Sequence, residues 1–193
     1  MRRTLSIPVL LMLASGLCAA QQEEPGRGVA RVSLMNGDIT IGRGDSGDWV
    51  AAAVNAPLVA GDKIFAARAS RAEVQFDRAD FLRLGENTEV RMADLDNQRY
   101  QLQVSRGLLT FRQWKGSEAQ VEIDTPGLAI RPLKPGIYRV EVLENGETQI
   151  TVREGKAEIA SRQRTETIGE GRTLLARAGP TDNDVEVQEL QAA

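Results

Sequence analysis

The chain has no histidine, and its one cysteine, Cys18, lies inside an N-terminal stretch that reads as a secretory signal. Without histidine the commonest general base is gone, and without cysteine the usual zinc and copper ligand sets and thiol nucleophiles go as well. Most hydrolase constellations fail on that ground. What remains beyond residue 20 is carboxylates, six serines and four lysines. Glu86 with Glu89, Asp94 with Asp96 and Glu141 with Glu144 are the acid pairs on offer, but local acidic clusters in exported β proteins are usually solvated turns. Nothing around Lys63, Lys115, Lys134 or Lys156 favours a serine–lysine dyad. Asp94-Leu95-Asp96-Asn97 and Thr181-Asp182-Asn183-Asp184 supply hard oxygen atoms, yet neither has the twelve-residue loop with central glycine and terminal glutamate of a calcium hand. No glycine-rich loop precedes a helix to cradle a phosphate. The sequence therefore assigns no catalytic residue, no metal and no cofactor, and the expectation is a protein that is not an enzyme.

Residues 1–20 have the anatomy of a cleaved signal peptide: Arg2 and Arg3, an apolar Leu5–Leu17 and the small-residue site Cys18-Ala19-Ala20. A membrane anchor is the competing reading, but the uncharged Thr4–Ala20 stretch is at the short limit for about 30 Å of hydrocarbon and Pro8 interrupts it. Lipidation at Cys18 would want a small residue where Leu17 stands. The expected location is periplasmic or secreted, with no membrane span after cleavage. Loss of the signal leaves 22 basic against 27 acidic side chains, a formal charge of −5. Nucleic acid is thereby an unfavoured partner. No disulfide can form, so burial and hydrogen bonding must hold about 170 residues in one core.

Period-two alternation recurs almost without pause and predicts an all-β single domain of short, mostly antiparallel strands, either a β-roll of solenoid-like form or a β-sandwich. The clearest strands are expected at 29–34, 38–41, 72–76, 81–84, 89–92, 100–104, 108–111, 120–123, 137–142, 148–152 and 156–159. In Tyr100-Gln101-Leu102-Gln103-Val104 the apolar set takes every second position and therefore one face. Asn36-Gly37, Arg106-Gly107, Asn145-Gly146 and Glu154-Gly155 predict tight hairpin reversals. Only Trp49–Val54 resembles a helix, limited to a turn or two by Pro57 and Gly61. The organisation read from this is a signal at 1–20, a linker at 21–28, a β domain at 29–178 and a flexible polar tail at 179–193.

An ordered set of landmarks resembles the FecR-type domain of bacterial envelope proteins. They are Pro57-Leu58-Val59-Ala60-Gly61-Asp62-Lys63-Ile64, Ser70–Phe76, Phe81-Leu82-Arg83-Leu84-Gly85-Glu86-Asn87-Thr88, Arg106-Gly107-Leu108-Leu109, Val121–Pro126 and Val152–Ile159, closed by Gly169-Glu170-Gly171. The resemblance departs at Asp77-Arg78-Ala79-Asp80, where family members commonly have Asp-Gly-Ser, and at Gly136-Ile137-Tyr138, where Gly-Thr is common. Sigma-factor regulators of that family also carry an anti-sigma segment and a membrane helix, which are not read here, so the resemblance implies the recognition module alone.

Binding must then use the surface. Trp49 and Trp114 stand outside clean alternation, and Arg112-Gln113-Trp114-Lys115 puts an aromatic among hydrogen-bonding groups, the mix enriched at protein interfaces and sugar platforms. Trp49, Arg112, Trp114 and Lys115 form the candidate binding surface, against the plainer reading that each tryptophan caps an end of the core. Two roles stay open: an exported protein-interaction module of the envelope, in sensing or signalling with an envelope protein as partner, or a domain binding carbohydrate or peptidoglycan, with a cell-wall glycan as partner. Oligomeric state is left undetermined.

Overall fold

The computed structural model describes residues 28–162, 164–178 and 185–190. The expected signal, most of the expected linker and the Thr181–Asp184 oxygen cluster are outside these residues. In chain order the first strands are β1 (Ala30–Asn36), β2 (Ile39–Gly42), β3 (Trp49–Ala51), β4 (Pro57–Leu58), β5 (Lys63–Ala66), β6 (Arg71–Gln75), β7 (Asp80–Leu84) and β8 (Thr88–Leu95). The long β9 (Arg99–Gln113) follows, then β10 (Gln120–Asp124), β11 (Ala129–Pro132), β12 (Gly136–Val142), β13 (Thr148–Glu154) and β14 (Lys156–Ala160). Last come β15 (Thr165–Gly169), β16 (Arg172–Ala178) and β17 (Val185–Leu190). No helix occurs among the described residues.

Alternation is what makes these strands. In β12 the buried set is Gly136, Tyr138, Val140 and Val142, with half-buried Ile137, Arg139 and Glu141 between them. The first sheet runs β4-β1-β6-β7-β9-β12-β13-β16-β17, antiparallel throughout. The second runs β3-β2-β5-β8-β9-β10-β11-β14-β15, antiparallel except for the parallel β9–β10 pair. Strand β9 belongs to both: its first half, to Arg106, pairs in the second sheet, and Gly107 to Gln113 pair in the first.

The inner faces close on one core. Val32, Val74, Leu82, Phe111, Val140 and Ile150 from the first sheet meet Ile41, Ile64, Val90, Leu102, Ile123 and Ile130 from the second, all fully buried. Each such side chain contributes roughly 1.5–3 kcal/mol of burial free energy, so the core rather than any single polar contact carries the fold. Because the chain changes sheet after every one or two strands, the two forms expected from sequence coincide in a two-layer roll packed like a sandwich.

Three expectations are corrected. Trp49–Val54 is no helix: Trp49–Ala51 is a strand whose Trp49 pairs with Gly42, tertiary pairing overriding the local preference of an alanine-rich stretch. Of the four glycine turns, Asn145-Gly146 alone closes a hairpin, between β12 and β13. Gly37 and Gly155 instead turn the chain from one sheet into the other, and Gly107 lies within β9 at the passage between sheets. All four have positive φ, and that freedom serves a corner as well as a reversal. Within the tail expected to be flexible, Val185–Leu190 is a strand antiparallel to β16. The sequence there, Val185-Glu186-Val187-Gln188, does alternate, and the edge of the roll gives it a ladder to join.

Candidate binding surface

The sequence-predicted residues fall on two places. Arg112, Trp114 and Lys115 stand together where β9 leaves the first sheet. Trp49 lies on β3, the outermost strand of the second. Neither tryptophan caps the core, since Trp49 is 50% exposed and Trp114 48%.

At the first place the Arg112 guanidinium lies 3.7 Å from the Trp114 ring centroid, a cation–π contact worth about 0.5–1 kcal/mol at an exposed site. The turn carrying Trp114 and Lys115 is tied down from beneath. Its Trp114 amide donates to the Ala79 carbonyl at 2.9 Å, and the Ser117 hydroxyl donates to Asp80 Oδ2 at 2.6 Å. Gln113 Nε2 donates to Ser117 Oγ at 3.1 Å and to the Ala119 carbonyl at 3.0 Å. Asp80 is wholly buried, and its second oxygen, Oδ1, has no hydrogen-bond partner among the described residues. Burial pushes its pKa up to about 6; the Ser117 hydrogen bond opposes the shift and the neighbouring Asp77 charge adds to it. Asp77 also accepts from the Tyr100 hydroxyl at 3.3 Å, and Phe76 stacks on that ring at 4.8 Å. Burial first, then the Asp77 and Asp80 charges, holds the Tyr100 phenol protonated beyond its ordinary range.

At the second place the Trp49 indole rests on the backbone of Gly42: a Cβ there would stand 2.9 Å from Trp49 Cε2. The loop beside it is built on buried Asp62. Oδ2 accepts from Arg43 Nη1 at 2.8 Å and from the Val59 amide at 3.2 Å, while Oδ1 accepts from the Gly44 amide at 2.9 Å. This is the turn chemistry expected of Gly61-Asp62. Arg43, Gly44 and Gly61 thereby form the wall of a depression of about 340 Å³ beside Trp49, on whose far side stand Lys63 and Arg91. Sequence reasoning missed this basic hollow, because Lys63 and Arg91 become neighbours only through the β5–β8 register.

At least one member of each candidate acid pair is engaged elsewhere. Glu86 Oε2 accepts from the Ala69 amide at 2.7 Å, Asp94 takes Arg99 at 2.5 Å, and Glu141 takes Arg139 at 2.8 Å. Glu89 lies between Lys63 at 3.8 Å and Arg106 at 3.9 Å.

A two-layer roll threaded on one shared strand, with charged and amide side chains on broad outer faces, defines the class as an all-β module. The family model for the FecR protein matches residues 62–158, half of the 193-residue chain, and the chain belongs to that family. That span runs from the start of β5 into β14 and contains β9. Two crystal structures of a "putative anti-sigma factor" from Parabacteroides distasonis share the fold, each with a TM-score of 0.55, at 13% and 14% identity. Each comparison covers 66% of this chain and 58% of the other, so the chain spans little more than half the length of those structures. Among curated proteins none matches it.

Proposed function

We propose that the chain is an exported, non-enzymatic protein-interaction module of the bacterial envelope, acting in envelope signalling. The observation that carries this reading is family membership across the central strands of the roll, β5 to β14. The geometry supports it in two ways. Several outward side chains stand in cross-strand ion pairs, such as Arg131 with Glu122 at 2.5 Å and Glu158 at 3.1 Å, which patterns the outer faces with charge suited to docking. The Arg112–Trp114 pair adds the side-chain types that dominate interface energetics, on a turn fixed by Asp80 and Ser117.

The test is fractionation and site-specific crosslinking in the native bacterium. A photoreactive residue at Trp114 is expected to trap an envelope protein in the periplasmic or secreted fraction, and deletion of the gene is expected to change the transcripts of an envelope-responsive sigma factor. Recovery of the chain in the cytosol, or a deletion strain with unchanged sigma-factor regulons and no crosslink, would falsify the proposal.

A further inference from the structure

The outer face of the second sheet carries a row of paired positions. Trp49 is opposite Gly42, Gly42 opposite Lys63, Lys63 opposite Arg91, Arg91 opposite Gln103, and Gln103 opposite Asp124. Six strands contribute, from β3 to β10, and at about 4.8 Å per strand the row is roughly 24 Å long. Two depressions of about 340 Å³ each lie along it, and Lys63 and Arg91 line both.

The composition of the Trp49 hollow is what distinguishes it. Arg43, Lys63 and Arg91 line it with the indole, glycine supplies the rest of its wall, and no carboxylate is among its lining residues. Arg43 is held by Asp62 and Lys63 is shared with Glu89, but Arg91 makes no ion pair among the described residues. Local positive charge thus stands out on a chain that is acidic overall. Two of the glycines are required by packing: a Cβ on Gly44 would meet the Gly61 carbonyl carbon at 2.5 Å, and one on Gly42 would strike Trp49. They leave the indole resting against Gly42 and half-exposed. Further along, the second hollow is mixed: Gln103, Ser105 and Thr125 offer hydrogen bonds while Glu89 and Asp124 add carboxylates, so the positive charge is concentrated at the Trp49 end of the row.

We propose that this row binds an acidic polysaccharide, one sugar ring stacked on Trp49 and its carboxylates taken by Arg91 and Lys63. Guanidinium binds carboxylate with two parallel hydrogen bonds, which adds direction to the charge attraction. A flat aromatic surface followed by polar groups, without deep apolar pockets, suits a chain of sugar rings better than the side chains of a peptide. A row of this length also calls for an extended polymer rather than a single sugar. The site is separate from the Trp114 turn, so the signalling role and this one stand or fall independently.

The experiment titrates the full exported chain, carrying Trp114→Phe so that Trp49 alone reports, with oligogalacturonate, with neutral maltohexaose and with polyglutamate. Oligogalacturonate is expected to shift the Trp49 emission and to bind with an affinity that falls at least tenfold in Trp49→Ala, read by calorimetry, and again in Lys63→Glu/Arg91→Glu. Circular dichroism confirms that each variant keeps its β spectrum. Absence of oligogalacturonate binding overturns the proposal, as does equal binding of maltohexaose. Polyglutamate binding as tightly, with no loss in Trp49→Ala, would reduce the row to a charged surface and overturn it too.

Discussion

The Tyr138 hydroxyl stands where a side chain on Gly155 would have to go: an added Cβ would sit 2.6 Å from it. This hydroxyl contacts the Lys134 carbonyl, lies 3.1 Å from the Lys156 carbonyl and accepts the Lys156 amide at 3.3 Å. It therefore ties down the corner at which β13 of the first sheet becomes β14 of the second. Gly155, at φ 94°, supplies the left-handed turn. Gly155→Ala is expected to cost about 2–4 kcal/mol, from backbone strain and the collision together. Tyr138→Phe is expected to cost about 1–2 kcal/mol through the lost hydrogen bonds. The double variant should cost less than the sum, because phenylalanine removes the atom that alanine strikes. Urea unfolding of the four proteins measures the coupling, and strict additivity would rule out this account of the corner.

That corner also shows where the sequence stops being legible. Alternation located eleven segments that became ten strands, since Tyr100–Val104 and Leu108–Phe111 are two parts of β9. It could not say that Gly155 turns between sheets whereas Gly146 closes a hairpin, because positive φ is common to both and the choice is made by what packs beyond. Short edge strands such as β3 and β4 have too few residues to show a period, so Trp49-Val50-Ala51 passed for a helical turn. The Arg112–Trp114 stack could be read from adjacency in the chain. The Trp49 hollow could not, for its cations come from three strands or loops far apart in sequence.

The Asp62 carboxylate serves three donors from two segments, Arg43 and Gly44 after β2 and Val59 after β4, and is 2% exposed. Asp62→Ala leaves the Gly44 and Val59 amides unmet and Arg43 with the Pro57 carbonyl alone, and is expected to destabilise the fold by about 2–4 kcal/mol. Arg43→Ala should cost about 1–2 kcal/mol, because the half-open guanidinium is partly solvated while the two amides keep their acceptor. Thermal unfolding by circular dichroism ranks the two, and a larger loss in Arg43→Ala would contradict the assignment of Asp62 as the organising group.

Asp80 makes stability depend on pH in the sense opposite to most carboxylates. Its folded pKa of about 6 is above the ordinary 3.8, chiefly through burial, so the folded state holds this proton more tightly than the unfolded chain. The resulting contribution is fully present below the unfolded value and is lost as pH rises through about 6. Above that the ionised carboxylate, with Oδ1 unpartnered among the described residues, is a standing cost. Urea midpoints measured from pH 4 to 8 for the native chain and for Asp80→Asn isolate the group. The native-minus-variant difference should decline across the window between the two pKa values, and a flat difference would show that Asp80 is ionised throughout.

Strand β9 makes a prediction about cooperativity, because the two sheets share it and one core. Gly107 is the residue at which it passes between them, with φ 88° and a would-be Cβ 2.5 Å from Thr88 Oγ1. If the passage is rigid, neither sheet can melt while the other persists, since each would lose its central strand and half the core. The tryptophans report the sheets separately, Trp49 from an edge of the second and Trp114 from the end of β9 in the first. Urea melts of Trp49→Phe and Trp114→Phe, each followed by the remaining indole, should therefore follow the strand signal in circular dichroism with coincident midpoints. Gly107→Ala is expected to lower both midpoints equally, by a loss of about 2–4 kcal/mol. A shift seen by one indole alone would mean that β9 is two strands in energetic terms, hinged at Gly107.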